Sequence, residues 1–237
     1  MPIAKTEAFV LKTIKYGETS KIVTLFTKDF GKLNAIAKGA RNYKSKLCGT
    51  LESMNYIRAV IYLKENRELQ LISNAEYIKS FSNIQSDFEK LQASFKIIEI
   101  LNRSVVNNDV NSDLFDILLS SISMLNNSEK NFEIFILNFQ IELSKILGIS
   151  PVFTDSKSNN ETFFKNNEFY VNNSHISSLL AIEKCRIEEM RNLETDSEII
   201  SKLISTYERF LTMHTSGTHF YKTTKVFKEL NYNSFSA

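Results

Sequence analysis

The sequence is poor in cysteine, glycine and proline and contains no tryptophan. Its 237 residues include two Cys, six Gly and two Pro. Two cysteines exclude both a disulfide scaffold and a four-cysteine zinc site, and so few turn-forming residues argue against a turn-rich, all-β architecture throughout. No run of ~18 apolar residues is present, and no cationic segment leads into a long apolar run at the start. We therefore expect no transmembrane helix, no secretory signal and a reduced, cytoplasmic setting.

Bulky apolar side chains, by contrast, are plentiful. Hydrophobic residues make up 43% of the chain, and 18 Phe and nine Tyr supply material for a core. This composition excludes intrinsic disorder. The length corresponds to one or two domains, because a domain typically has ~100–200 residues.

The charge is divided unevenly along the chain. Residues 1–80 contain 14 Lys and Arg but seven Asp and Glu, a net charge of +7, whereas the remainder has a net charge of −5. The stretch from Gly31 to Leu51 contains five basic residues and no acidic one. Such asymmetry indicates a polyanionic partner for the N-terminal part. On charge alone, a solvated basic surface explains it equally well.

A period of two in the apolar residues predicts β-strands between Thr6 and about Lys79. The fourth strand is the clearest, because Ile57, Ala59 and Ile61 alternate with a row that includes Arg58. The other predicted strands are Thr6–Lys15, Ser20–Thr27, Lys32–Lys38 and a run from Leu69 to Ile78. Five short strands leave open edges in a flat sheet, and closure into a small barrel removes those edges. We therefore predict a five-stranded barrel in residues 1–80.

Beyond Ser80 the apolar period becomes 3.6, which predicts an all-α domain over residues 81–237. Two capping boxes, Ser86–Glu89 and Thr195–Glu198, mark helix starts at which Ser86 and Thr195 would be the N-caps. The third predicted helix, Phe132–Leu147, ends at Gly148 with Pro151 just beyond. The Asn-rich stretch at about 150–173 predicts a small insertion or ribbon. Gly217 predicts the end of a later helix, and Thr223–Leu230 a short last one.

No arrangement of residues points to catalysis. The three His and two Cys are scattered along the chain, and the sequence contains no phosphate-binding glycine loop, nucleophile elbow or zinc-protease motif. We therefore predict a binding protein, not an enzyme, with no cofactor.

Nucleic acid is the polyanion that the residue pattern favours. Lysine and arginine neutralise phosphates, and aromatic rings stack on exposed bases. The segment Lys38–Lys46 combines both residue types, and the fourth strand carries Tyr56, Arg58 and Tyr62 on the face opposite its apolar row. Packing against the helical domain explains the two tyrosines equally well. The predicted DNA-binding residues are Lys21, Lys32, Lys38, Arg41, Tyr43, Lys44, Lys46, Tyr56, Arg58 and Tyr62.

Several segments of the chain resemble one known family. The segments Tyr16–Ser20, Phe26–Lys32, Ala37–Arg41 and Lys44–Ser45 are similar to the N-terminal signature of the bacterial RecO recombination-repair proteins. The Gly148–Pro151 junction and the end of the chain, from Met213–His214 through Gly217 to Lys222–Thr223, also fit. The Lys-Gly-Ala-Arg stretch at residues 38–41 is the most specific part.

The resemblance implies an α+β multidomain protein, in which an oligonucleotide-binding (OB) barrel at residues 1–80 is followed by an all-α helical domain at 81–237. It implies binding of single- and double-stranded DNA, annealing of complementary strands and help in replacing single-strand-binding protein with RecA. RecR and the C-terminal tail of single-strand-binding protein are the implied partners, with RecF and RecA as further ones, at the nucleoid in the cytoplasm.

One departure from the family pattern concerns metal. Many members carry a four-cysteine zinc site just after the Gly-x-x-Pro junction, but Val152–Asn173 contains no Cys and no His. Thr154–Lys157 stands where the first Cys-x-x-Cys would be. We therefore expect a degenerate zinc-ribbon-like insertion at about 150–173 that binds no metal.

Two function classes remain open. The first is the recombination mediator, and the alternative is a non-catalytic OB-fold adapter that binds RNA or only protein partners. The third predicted helix adds a second open question, because its apolar residues cover more than one stripe. Central burial of that helix explains this pattern, and so does a groove for the Phe-ended acidic tail of single-strand-binding protein. The candidate cations for that tail are Lys130, Lys145, Arg186 and Arg191.

Overall fold

In a computed structural model of the chain, the described residues are 2–64, 67–151, 153–155, 161–164 and 170–215. The first five strands are β1 (Ile3–Tyr16), β2 (Ser20–Thr27), β3 (Gly31–Ala37), β4 (Tyr56–Tyr62) and β5 (Leu69–Lys79). They close into a barrel in the order β1-β2-β3-β5-β4. Only the β3–β5 pairing is parallel; the other four pairings of the barrel are antiparallel. The five-stranded barrel that the sequence predicted is confirmed.

The barrel interior is apolar, because alternate residues of each strand point inwards. Small and large residues share the space, as the taper of a small barrel requires. Alanines lie beside leucine, isoleucine and valine in one buried cluster, whose strand residues are Ala8, Val10, Val23, Leu25, Leu33, Ala35, Ala37, Ile57, Ala59, Ile61, Ile72 and Ala75.

Aromatic rings form a second cluster on the outer side of β1, β2 and β4. Phe9 stacks on Tyr56 with ring centroids 4.9 Å apart, and Phe115 lies 5.8 Å from Phe9 and 6.0 Å from Phe26. Phe115 belongs to α3 (Ser112–Asn127). The chain up to Ser82 therefore forms one compact unit together with Val105–Asp116. We call this the barrel unit.

The segment before α3 lies directly against the start of β3. The N–H of Asn108 donates to the carbonyl of Lys32 over 2.7 Å, and Lys32 forms a bridge with Asn107. Gly31 has a φ of +63°, and a Cβ at this position would lie 2.0 Å from the carbonyl oxygen of Asp109. Only glycine fits this close approach.

The remaining described helices are α1 (Ser82–Gln85), α2 (Phe88–Ser104), α4 (Phe132–Ile146), α5 (Asn173–Lys184) and α6 (Ser197–His214), with a 3-10 turn at Met190–Asn192. Residues 83–104 and the described residues from Ile117 to Thr215 form a second compact unit, the helical unit. Where the sequence predicted a ribbon, β6 (Phe153–Asp155), β7 (Glu161–Phe164) and β8 (Tyr170–Asn172) form a three-stranded antiparallel sheet. No helix in the described ranges has the length and apolar character needed to cross a membrane.

Both helices that the capping boxes predicted are present, but each is capped one residue later. Asp87 Oδ1 accepts the N–H groups of Glu89 and Lys90 over 2.9 and 3.1 Å, and Asp196 Oδ1 accepts that of Glu198 over 2.8 Å. The prediction that Ser86 and Thr195 cap these helices is therefore wrong. The physical reason is that an aspartate carboxylate accepts more strongly than a hydroxyl and places negative charge at the positive end of the helix.

α4 is the central helix of its unit. Every residue from Ile134 to Ile141 is buried, which accounts for apolar residues on more than one stripe. The helix ends as predicted at Gly148, whose φ is +69°. The N–H of Gly148 donates to the Lys145 carbonyl over 3.0 Å and that of Ile149 to the Ser144 carbonyl over 2.9 Å, which is a Schellman motif. The predicted end at Gly217 and the predicted helix Thr223–Leu230 lie outside the described residues.

Candidate nucleic-acid interface

The connection between β3 and β4, residues 38–55, separates its apolar from its basic side chains. Ala40, Leu47 and Leu51 are buried in the barrel core. Successive turns place the intervening side chains outwards, and the exposed ones include Lys38, Arg41, Tyr43, Lys44 and Lys46. Tyr43 is 80% exposed, and the Lys44 ammonium lies 5.5 Å from the centre of its ring. Three buried anchors thus hold a basic, aromatic surface, which we call the basic loop (residues 38–46).

Arg41 fixes the basic loop beside the turn that joins β1 and β2. Its backbone N–H donates to the Thr19 carbonyl over 2.8 Å, and its Nη1 donates to the Gly17 carbonyl over 2.9 Å. Gly17 adopts a φ of +56° in this turn. The loop therefore lies at the end of the barrel where Tyr16 leaves β1.

A β-bulge in β1 divides the outer face of β1–β2–β3 into two halves. The register shifts between Val10 and Lys12. Before the bulge, the outward residues Phe9 and Phe26 are buried in the aromatic cluster. After it, the outward rows are Lys12–Thr24–Asn34 and Ile14–Ile22–Ile36, with Tyr16 at the end.

The second half of this face is open to solvent and has an apolar centre. Ile14 is 46% exposed and Tyr16 is 53% exposed. Thr24 donates to Asn34 over 2.8 Å. A shallow cavity of about 340 Å³ lies on this face, lined by Lys12, Ile14, Ile22, Thr24, Asn34, Glu68 and Leu69. We call Ile14, Tyr16, Ile22 and Ile36 the isoleucine face.

The predicted site residues of β4 do not form a free stacking surface. Tyr56 is buried, stacks on Phe9 and donates its hydroxyl to Glu7. Burial, and then this hydrogen bond, raise the pKa of Tyr56. Arg58 lies 3.8 Å from Glu7 Oε1, and Tyr62 is half-buried. Of the two alternatives that the sequence left open for Tyr56, the structure shows packing.

Lys21 and Lys32 differ from the lysines of the basic loop. Lys21 is buried and pairs with Glu52 over 2.5 Å. Lys32 is half-buried, and this burial lowers its pKa. The structure therefore groups Lys38, Arg41, Tyr43, Lys44 and Lys46 in one exposed loop and places these two lysines in more enclosed positions.

Sequence reasoning missed the isoleucine face. Strict alternation from the inward Val10 makes Ile14 look like a core residue, but the bulge at Leu11 turns it outwards, opposite Ile22 of β2. The signal that could have revealed this is the run Phe9-Val10-Leu11, three consecutive apolar residues that break the period of two.

The groove considered for the third predicted helix exists beside the first turns of α4. Of its candidate cations, Lys130 lines it, whereas Lys145 pairs with Glu142 and Glu183, and Arg186 pairs with Glu189. The side chain of Arg191 lies outside the described part of the structure. Within that described part, no three His, Cys, Asp or Glu residues are grouped so that they could hold a metal ion.

A closed five-stranded barrel with one exposed face and a basic loop, followed by helices, defines an OB-fold domain joined to a helical domain. Comparison with protein families supports this division into two domains. Residues 1–81 match the family model "Recombination protein O N terminal", and residues 85–221 match "Recombination protein O C terminal". The chain belongs to the recombination protein O family.

Similar curated proteins are named DNA repair protein RecO. The chain is 38% identical to the one from Chlorobium limicola over 149 residues, 63% of this chain and 57% of the relative. It is 40% identical to that of Chloroherpeton thalassium over 146 residues, 62% of this chain and 56% of the relative. The corresponding protein of Salinibacter ruber is 36% identical over 149 residues. The match spans a little more than half the length of these relatives. Membership of the recombination protein O family supports a role of this chain in DNA repair and recombination.

Proposed function

We propose that this protein is a recombination mediator that binds single- and double-stranded DNA through its barrel unit, without turnover. In this role it anneals complementary strands and helps RecA to load on DNA covered by single-strand-binding protein. The observation that carries the proposal is the basic loop, in which four exposed cations and Tyr43 are held by buried anchors beside the isoleucine face.

The proposal assigns different DNA contacts to the basic loop and to the isoleucine face. Lys38, Arg41, Lys44 and Lys46 contact phosphates, which gives affinity without base information. Unpaired bases stack on Tyr43 and Tyr16 and cover the apolar isoleucine face, which a duplex with stacked bases cannot do. Lys12 lies on this face and adds a cation. Tyr56 takes no part, because its ring is already covered.

Replacement of Lys44 and Lys46 by alanine tests the phosphate contacts. Both side chains are exposed, and neither holds the loop to the barrel in the way that Arg41 does. Each lost phosphate contact lowers the slope of log K against log salt by roughly 0.7 for single strands. For the double variant this slope should therefore be smaller by about 1.4, and its affinity should fall equally for all DNA sequences. Fluorescence anisotropy of a labelled oligonucleotide measures both quantities.

Lys28→Ala is the matched control. Lys28 is an exposed lysine at the opposite end of β2 from the basic loop, so its loss should leave the slope unchanged. Equal slopes for the double variant and the unmodified protein would remove the basic loop from the proposed site.

An annealing assay separates the mediator from the alternative, an adapter that binds RNA or only protein. A mediator accelerates the pairing of complementary strands, and the Lys44→Ala/Lys46→Ala variant should be slower than Lys28→Ala. An adapter leaves the pairing rate at its uncatalysed value. The proposed partners, RecR, the tail of single-strand-binding protein, RecF and RecA, rest on the family, and copurification from the native host tests them.

A further inference from the structure

The helical unit contains a groove of about 990 Å³ between α2, α4 and α6, which includes none of the proposed DNA-binding residues. Its floor is apolar, because Ala93, Ile134, Ile200 and Ile204 are buried there. Phe88, the first residue of α2, also lines the groove and is 43% exposed. A groove of this kind accepts the apolar face of an amphipathic segment.

The groove has the length of a short helix. Its lining residues on α6 extend from Ser197 to Glu208, which corresponds to about 17 Å at ~1.5 Å per residue. A helical segment of about 12 residues, or roughly three turns, covers this length. Apolar side chains at positions i, i+3, i+4 and i+7 of such a segment share one face and can lie along the floor.

The rim of the groove is acidic. Lys96 and Glu208 line it as a buried ion pair and cancel each other. The other charged side chains among the described lining residues are exposed and have a net charge of −2; they are Glu89, Glu129, Glu133 and Lys130. An occupant therefore places its own flanking side chains next to an excess of carboxylates.

The positions of two of these glutamates favour a cation beside them. Glu89 and Glu133 lie in the first turns of α2 and α4, where the helix dipole stabilises negative charge. Their mutual repulsion nevertheless persists, because partial burial and then the charge of Glu89 raise the pKa of Glu133. An ammonium or guanidinium group would relieve this repulsion, whereas a further carboxylate would increase it.

We propose that the groove binds a basic amphipathic helix of a partner protein, with its apolar side chains on the floor and its Lys or Arg side chains against Glu89, Glu129 and Glu133. The apolar floor alone would accept a basic or an acidic segment, and the charge of the rim selects the basic one. The acidic tail of single-strand-binding protein is therefore not the occupant of this groove.

Two labelled peptides of about 12 residues test this proposal on the full chain. Both have leucines at positions i, i+3, i+4 and i+7, and the flanking positions are lysines in the first peptide and glutamates in the second. Each peptide is titrated separately by fluorescence anisotropy at low salt, where charge is least screened. We expect saturable binding of the lysine peptide with one peptide per chain. The absence of saturable binding would overturn the proposal.

Charge reversal locates the bound peptide. Glu129→Lys/Glu133→Lys should weaken the lysine peptide roughly tenfold and strengthen the glutamate peptide, because like charges across an interface are unfavourable. Asp113→Lys/Glu188→Lys is the matched control, since it changes the net charge equally at exposed residues that do not line the groove. Equal weakening by both double variants would mean that the peptide responds only to the overall charge of the chain, which contradicts the proposal.

A third variant, Phe88→Ala, tests the apolar contact without a change of charge. It should weaken the lysine peptide severalfold and leave the glutamate peptide unaffected, with helix content intact by circular dichroism. Weaker binding of the glutamate peptide to this variant would place an acidic segment in the groove and overturn the proposal. Sedimentation velocity supplies the last readout, because a dimer that the lysine peptide dissociates would make a second copy the occupant, against the proposal.

Discussion

The two units place their charged residues differently. In the barrel unit, the strand ladders close on themselves and satisfy the backbone, around an interior cluster of apolar side chains. Lys21 is buried and pairs with the exposed Glu52, whereas the cations of the basic loop lie at the surface. In the helical unit, Lys96 and Glu208 pair in the interior, and Gln140 donates to the Ile204 carbonyl from a fully buried position. The buried pair of the helical unit thus serves packing, whereas the exposed cations of the basic loop in the barrel unit are available to a ligand.

The largest effect that this comparison predicts is at the buried pair. The Glu208 side chain is 3% exposed, so Lys96→Ala leaves its carboxylate in the interior without its cation. Removal of one partner of such a pair costs about 3–5 kcal/mol. We expect that loss in the free energy of unfolding from chemical denaturation, together with faster amide hydrogen exchange in α2, α4 and α6.

A double substitution separates charge from packing at the same site. Lys96→Met with Glu208→Leu removes both ions and keeps the volume, so most of the lost stability should return. If the double variant is as unstable as Lys96→Ala, the pair stabilises the unit through its shape and not through its charge.

In the barrel unit the sensitive position is a glycine and not an ion pair. Gly31→Ala forces a left-handed φ on alanine, at ~1–2 kcal/mol, and drives its Cβ into the backbone of Asp109. Such overpacking adds ~1–3 kcal/mol. We expect a total loss of about 3 kcal/mol by denaturation.

Gly17→Ala is the control, because Gly17 shares the positive φ but has nothing within 4 Å of the added Cβ. The loss in the free energy of unfolding of Gly17→Ala should therefore contain only the cost of the left-handed φ. Similar losses at both positions would mean that the segment before α3 moves away from β3 at little cost.

The sequence was sufficient to predict the barrel, because five alternating segments with turns between them have few other ways to close their edges. It was also sufficient for the end of α4, where Gly148 and Pro151 act locally. The prediction from sequence failed where one extra residue shifts the alternation of inward and outward side chains along a strand. The bulge at Leu11 turns Ile14 to the outer face of β1, although strict alternation from Val10 would place it inside the barrel.

Long-range contacts account for the other differences. The burial of Tyr56 depends on Phe9 and Phe115, and the pairing of Lys21 on Glu52, 31 residues away. The change of period near residue 80 likewise gives no sign that Val105–Asp116 packs with the barrel. Composition identified the basic loop correctly as a charged segment, but only the structure shows that Ala40, Leu47 and Leu51 hold it in place.

A smaller effect is expected at the first turn of α2. Asp87→Ala removes the cap of two N–H groups and should cost about 1 kcal/mol. Ser86→Ala removes only a hydrogen bond from the Ser86 hydroxyl to the Asn83 carbonyl at an exposed position, so its cost should be a few tenths of a kcal/mol, as for other exposed sites. If denaturation shows a larger loss in the free energy of unfolding for Ser86→Ala than for Asp87→Ala, Ser86 is the N-cap, as the capping box in the sequence predicted.

The smallest effect on stability is expected where the effect on binding is largest. Lys44 and Lys46 are exposed, and neither is among the ion pairs of the described residues. Their replacement by alanine should change the free energy of unfolding by less than about 0.5 kcal/mol, as for surface substitutions in general. It should even be slightly stabilising, because the barrel unit carries an excess of positive charge whose mutual repulsion is reduced. Denaturation at low salt, where this repulsion is least screened, is the sensitive measurement. A loss above 1 kcal/mol would show that these lysines hold the basic loop in place, and a weaker DNA affinity of the same variant would then report loss of structure instead of loss of phosphate contacts.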